Sequence, residues 1–66
     1  MNVTINGTPH ELPAGASVAQ AVRRLTDAGS GVAVAVNDEV VPRGAWDSTA
    51  LAESDRVEVL TAVQGG

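Results

Sequence analysis

Residues 2–25 read NVTINGTPHELPAGASVAQAVRRL, and this stretch decides the fold. Val3 and Ile5 alternate with Asn2 and Thr4, the two-residue period of a half-buried strand. Asn6-Gly7 comes next. Both residues tolerate positive φ, which a type I′ turn requires, so the pair predicts a tight hairpin. The return strand is expected over about Pro9–Leu12, with Pro9 at a strand start or an edge and Leu12 pointing inward. Pro13-Ala14-Gly15 breaks the extended pattern. Ser17 with Gln20 three residues on is a capping box, in which each side chain serves the other's backbone N–H. Val18, Ala21, Val22 and Leu25 then fall at i, i+3, i+4 and i+7, one apolar stripe, with Gln20, Arg23, Arg24 and Asp27 on the other side. Gly29 supplies a stop, so the spacing predicts an amphipathic helix of about three turns.

Beyond the helix the pattern returns to strands. Val32–Val36 is a short, continuous apolar run bounded by Gly31 and Asn37-Asp38, which reads as a strand buried on both faces. Val40 and Val41 make a short strand that Pro42 ends. Residues 43–54 have weak periodicity, with a short helical turn expected around Trp46 and Leu51. Glu53-Ser54-Asp55 is a turn, and Arg56–Val63 is the last strand. Hairpin, helix and further strands in 66 residues predict a single α+β domain. Its mixed sheet of four to five strands wraps one helix, with the first and last strands as central neighbours. Residues 1–63 form the domain and residues 64–66 a tail.

Composition excludes several function classes. There is no cysteine and one histidine, His10. Thiol nucleophiles, disulfides, Cys-based zinc sites and His-based triads are therefore unavailable within this chain, and no metal site is read from it. The net charge is −4, and Arg23, Arg24, Arg43 and Arg56 are the only basic residues besides the histidine. An acidic chain with Trp46 as its single aromatic has neither the cationic patch nor the stacking platform of a nucleic-acid binder. No apolar run is long enough to span a bilayer. Met1-Asn2-Val3-Thr4 lacks the basic and apolar regions of a signal peptide. The expected compartment is the cytoplasm, which suits a cysteine-free chain.

The candidate functional residues gather at the end. Gly65-Gly66 presents a carboxylate on residues without side chains, over which a narrow channel of another protein can close. The alternative is a frayed terminus. In the last strand Val57, Val59, Thr61 and Val63 fall on one face, the natural core side. Arg56, Glu58, Leu60 and Ala62 fall on the other, which starts charged and turns apolar toward the tail. Leu60 with Ala62 then makes an apolar patch for a docking partner, or Leu60 is covered by the loop around Trp46. Trp46 is either an interface anchor or a lid on the core, and the lid is the commoner role for a lone tryptophan in a small domain. Arg43, on a surface turn, is a candidate partner contact and a candidate ion-pair mate for Asp47 at i+4.

Three segments together resemble a known family. They are the hairpin and helix, the segment Val36-Asn37-Asp38-Glu39-Val40-Val41-Pro42-Arg43-Gly44-Ala45-Trp46, and the ending Asp55-Arg56-Val57-Glu58-Val59-Leu60-Thr61-Ala62-Val63-Gln64-Gly65-Gly66. The resemblance is to the thiamine-biosynthesis sulfur carrier family and covers essentially the whole chain. It implies the ubiquitin-like β-grasp fold, shared with ubiquitin and the molybdopterin synthase small subunit. Thr61-Ala62 before Val63-Gln64, where molybdopterin carriers often have a Pro-Pro pair, favours the thiamine branch.

The resemblance further implies that a partner adenylyltransferase, using ATP and Mg²⁺, converts the Gly66 carboxylate into an acyl-adenylate. Sulfur derived from cysteine, delivered by a donor such as a cysteine desulfurase or a rhodanese-like protein, displaces AMP to leave a thiocarboxylate. Thiazole synthase then takes the sulfur. Gln64 and Gly65 form the threading tail, and Leu60, Ala62 and Arg43 the docking residues. The chemistry of the chain agrees. It has no phosphate-cradling glycine-rich loop, so ATP binds to the partner. Gln64–Gly66 extended spans roughly 10 Å at ~3.3–3.6 Å per residue, enough to reach a buried phosphate. The chain is read as a carrier and substrate, not an enzyme, with no cofactor of its own. The rivals are a carrier for molybdopterin, cysteine or tRNA thiolation, and a ubiquitin-like protein modifier.

Overall fold

Strand β1 (Asn2–Ile5) buries Val3 and Ile5, then enters a turn in which Asn6 and Gly7 have φ of 51° and 81°. This is the positive-φ pair that a type I′ hairpin needs. It sets the register of β2 (Thr8–Glu11), with Ile5 opposite Thr8 and Thr4 opposite Pro9. Leu12 falls just past β2. Its side chain is nonetheless buried, and its N–H donates to the Met1 carbonyl at 2.8 Å. The coordinates are a computed structural model that describes residues 1–26 and 31–61.

Helix α1 (Val18–Leu25) starts as expected. The Gln20 N–H donates to Ser17 Oγ at 3.3 Å and the Ser17 N–H donates to Gln20 Oε1 at 2.9 Å. The next two N–H groups, which no helix can satisfy internally, are taken by the long loop. Val18 donates to the Thr49 carbonyl and Ala19 to the Trp46 carbonyl. Val18, Ala19, Ala21 and Val22 are all buried.

 The helix is shorter than the sequence suggests, eight residues rather than three turns. Thr26 is already extended (φ −154°, ψ 149°), and its N–H closes the last turn on the Val22 carbonyl. Leu25, the last helical residue, is 45% exposed, because a helix end is covered from fewer sides than its middle. The expected stop at Gly29 lies outside the described residues, as do Asp27, Ala62, Val63, Gln64, Gly65 and Gly66.

The chain returns through β3 (Val32–Val36), a turn at Asn37-Asp38 with φ of 49° and 72°, and β4 (Glu39–Val41). Pro42 precedes a single 3₁₀ turn, Arg43–Ala45. The final described strand is β5 (Arg56–Thr61). The sheet order is β2-β1-β5-β3-β4, with β1 and β5 parallel and the other pairs antiparallel. A five-stranded mixed sheet with one helix and its first and last strands side by side is the β-grasp arrangement.

Two burial expectations are corrected. β3 is not buried on both faces. Val34 is buried, Val32, Ala35 and Val36 are half-buried, and Ala33 is exposed. Among the described residues one helix covers one side of the sheet, and Ala33 and Ala35 look out from the other. Thr61 shares a side with Val57 and Val59 but is exposed. Its cross-strand partner Val32 is itself only half-buried, so the core runs out at this pair. Trp46 is a core lid: its ring is buried and its Nε1–H donates to the Val41 carbonyl at 2.9 Å. It joins Leu51, Leu12, Ala16 and the inward valines in one cluster.

These placements give a stability test. Ser17→Ala should cost about 0.5–2 kcal/mol through the lost cap. Val57→Ala should cost about 1.5–3 kcal/mol by losing buried apolar surface. Ala33→Ser, on the uncovered side, should change stability by no more than about 0.5 kcal/mol. Denaturant melts of the three variants check the ranking, and an Ala33→Ser cost equal to that of Val57→Ala would restore two-sided burial of β3.

Candidate functional site

The last strand is the element that leads to the chain's end, and it sits at the centre of the sheet. On one edge β3 pairs with it from Val36 opposite Val57 to Val32 opposite Thr61. On the other edge β1 pairs only at Thr4 with Arg56 and Ile5 with Val57. The Thr4 N–H donates to the Asp55 carbonyl at 3.0 Å and the Asn6 N–H to the Val57 carbonyl at 2.9 Å. Val57 and Val59 anchor the strand in the core.

Alternation then turns Arg56, Glu58 and Leu60 to the uncovered face. Leu60 is 73% exposed, so it lies opposite the core, as its parity with Glu58 predicts. The loop around Trp46 does not cover it. Antiparallel pairing carries the same face sideways. Ala33 stands opposite Leu60, Ala35 opposite Glu58, and Val40, 77% exposed, opposite Ala35. Together with Asn6 these residues line a shallow depression of roughly 270 Å³. An exposed leucine beside an exposed valine, floored by two alanines, is a surface that gains from being covered.

Charges rim this face. Glu58 is exposed on it. The Arg56 guanidinium meets Asp38 at 2.7 Å, and that hydrogen bond, with the attraction of the carboxylate, holds Arg56 above its ordinary pKa. The stability linked to this shift is lost only as pH rises through the raised arginine range, so Arg56 keeps its charge at neutral pH. Asn37 ties the same turn to the start of β5. Its Nδ2 donates to Asp55 Oδ1 at 2.9 Å, and its Oδ1 accepts from the Arg56 N–H at 2.9 Å.

Of the docking residues read from the sequence, the structure places Leu60 at the depression. Arg43 does not line it. Its guanidinium lies over the Trp46 ring, 4.8 Å from the centroid. Asp47 lies 3.9 Å from Arg23 on the helix. Ala62, Gln64, Gly65 and Gly66 are outside the described residues. Sequence reasoning missed Ala33, Ala35 and Val40 as surface residues and the side-chain role of Asn6. Among the described residues no group of three or more His, Asp or Glu side chains is placed to hold a metal ion. No described helix is long and apolar enough to cross a membrane.

Comparison with known proteins gives consistent results. A sequence model of the ThiS family matches residues 3–66. A thiazole synthase of Magnetococcus marinus is 36% identical over 66 residues, which is the whole of this chain and 20% of that protein. The sulfur carrier protein ThiS of Escherichia coli is 26% identical over 66 residues, covering both chains completely. The crystal structure of a thiamine biosynthesis protein (ThiS) from Geobacter metallireducens superposes with a TM-score of 0.78 at 35% identity, again over the whole of both chains.

The geometry makes Leu60 separable from folding. Leu60→Asp should leave the domain folded, with a stability change of no more than about 1 kcal/mol, the span of strand preferences at an exposed position. Circular dichroism melts check this. Loss of the folded baseline would move Leu60 into the core and shift the strand register by one residue.

Proposed function

The chain belongs to the ThiS family, and from that premise we propose that it is a sulfur carrier of thiamine biosynthesis with the Gly66 carboxylate as the carrying group. The observation that carries this reading is the reach of the family match, which runs through Gly65-Gly66. The relatives' names support it: one is a sulfur carrier protein and another a thiamine biosynthesis protein.

A carboxylate is a poor electrophile and must first acquire a leaving group. In the proposed sequence a Gly66 oxygen attacks the α-phosphorus of ATP in a partner adenylyltransferase that also holds Mg²⁺. Pyrophosphate leaves and an acyl-adenylate remains. A sulfur nucleophile then attacks the acyl carbon and expels AMP. When the nucleophile is a persulfide, a second thiol opens the resulting acyl disulfide to free the thiocarboxylate. Thiazole synthase is the acceptor of the sulfur. Its partnership is supported by the Magnetococcus protein of that name, one fifth of which aligns with this chain. This chain acts as substrate and carrier in each step, and the catalytic groups belong to its partners.

The uncovered face supplies docking. Leu60 lies on the strand that leads to Gly66, Ala33 and Ala35 on its neighbour β3 and Val40 on β4 beyond, so a partner that grips this face holds the last described strand directly. The exposed Glu58 carboxylate on this face suits a partner surface with basic side chains.

Incubation with an adenylyltransferase, ATP and a sulfur donor should add the mass of one oxygen-to-sulfur exchange, located on the C-terminal peptide. Extra mass on an internal peptide would refute the carrier reading, and recovery of the chain from cells as isopeptide-linked conjugates would replace it with a protein modifier. Leu60→Asp should weaken binding to the adenylyltransferase by ~2–5 kcal/mol, about thirty-fold or more, because it buries an unpaired carboxylate. Unchanged affinity in a titration would remove this face from the docking surface.

A further inference from the structure

We propose that the Asn6 side chain is a positioning residue for the chemistry at Gly66. It stands in for a strand residue that β1 lacks and fixes where the last strand releases the tail. The inference rests on the carrier reading above.

β1 pairs with β5 at two residues and then turns away into the hairpin. The Asn6 backbone N–H donates to the Val57 carbonyl, and past Asn6 the chain turns back into β2. The Asn6 side chain continues the ladder. Its Oδ1 accepts from the Val59 N–H at 2.8 Å and its Nδ2 donates to the Val59 carbonyl at 3.1 Å. A carboxamide carries the same donor and acceptor as a peptide group, so one side chain replaces one strand position. Among the described residues this amide is the last hydrogen-bonded contact on the β1 edge of β5.

Val59 is buried, so its backbone groups on that edge are poorly placed to find water if the amide is removed. β3 would still hold the opposite edge to Thr61. The strand would stay in the sheet but be held from one side beyond Val57. Gly66 is seven residues past Val59. That is up to roughly 23–25 Å of extended chain at ~3.3–3.6 Å per residue. How much of this length is set before it enters a partner decides how well the carboxylate is aligned, and a misplacement of about 1 Å can cost ~100-fold in rate. Turn geometry alone does not need the amide, because glycine also accepts the positive φ of Asn6.

The test uses the wild type, Asn6→Gly and Ser17→Ala. Asn6→Gly keeps the turn and deletes the amide. Ser17→Ala loosens the helix start without touching β5, and so controls for lost stability. Asn6→Gly should speed hydrogen exchange of the Val59 amide by about tenfold relative to Val57 and lower kcat of thiocarboxylate formation about five- to tenfold. The dissociation constant for the adenylyltransferase should move less than kcat, and Ser17→Ala should leave kcat unchanged. Asn6→Asp, which keeps the acceptor and turns an oxygen toward the Val59 carbonyl, should lose kcat in the same direction, and it carries the test if Asn6→Gly does not fold. A kcat equal to wild type in the folded variant, a loss confined to binding, or an equal loss in Ser17→Ala overturns the inference while leaving the carrier reading in place. Failure of the wild type to form any thiocarboxylate removes both.

Discussion

The parallel pairing of the first strand with the last is the interaction on which the rest of the molecule depends. It joins residues some fifty positions apart, Thr4 with Arg56 and Ile5 with Val57, so it closes nearly the whole chain into one loop. Such a closure costs entropy that grows slowly with length and must be offset by burial. Ile5 and Val57 provide that burial, as two of the most deeply enclosed side chains. The consequence is positional. The strand that leads to the chain's end occupies the middle of the sheet, where both edges are engaged.

One helix for five strands is the second constraint. α1 and the loop through Trp46 and Leu51 enclose one side of the sheet, and the loop fills the helix's unsatisfied N–H groups with the Thr49 and Trp46 carbonyls. Among the described residues the other side has no second layer. A soluble sheet tolerates this when its outward positions are polar or small, and Glu58, Arg56, Ala33 and Ala35 follow that rule. Leu60 and Val40 break it at adjoining places. Neither belongs to the enclosed core cluster, so the fold itself does not call for an apolar side chain at either place.

Much of this was legible in the residues, for identifiable reasons. The Asn6-Gly7 turn and the Ser17–Gln20 box are short-range devices whose chemistry is contained in a few neighbouring residues, and both form as their sequences imply. The parity of β5 was legible because charged Glu58 fixes which face is wet, and that places Leu60. β3 was misread because an all-apolar run carries no such marker. The available signal was size rather than polarity: in Val32-Ala33-Val34-Ala35-Val36 the valines share the core side and the alanines the open one. The helix end was misplaced for a different reason. Leu25 continues the apolar stripe, but Thr26 turns extended, and periodicity alone does not report where the covering sheet stops.

The asparagines show why a residue explained once can still be incompletely understood. Asn6 and Asn37 both satisfy a turn that needs positive φ, and that local explanation is sufficient for the sequence pattern. In the folded chain each also uses its carboxamide against β5. Asn37 grips the Arg56 N–H and Asp55 at the strand's start, and Asn6 grips Val59 further along. These partners are 18 to 53 positions away, beyond any local motif. The two turns therefore do more than reverse the chain. They bring amides to opposite edges of the central strand and hold it where backbone pairing is missing. A glycine would make either turn but could supply neither grip, so the carboxamide and the positive φ are separate contributions of the same residue.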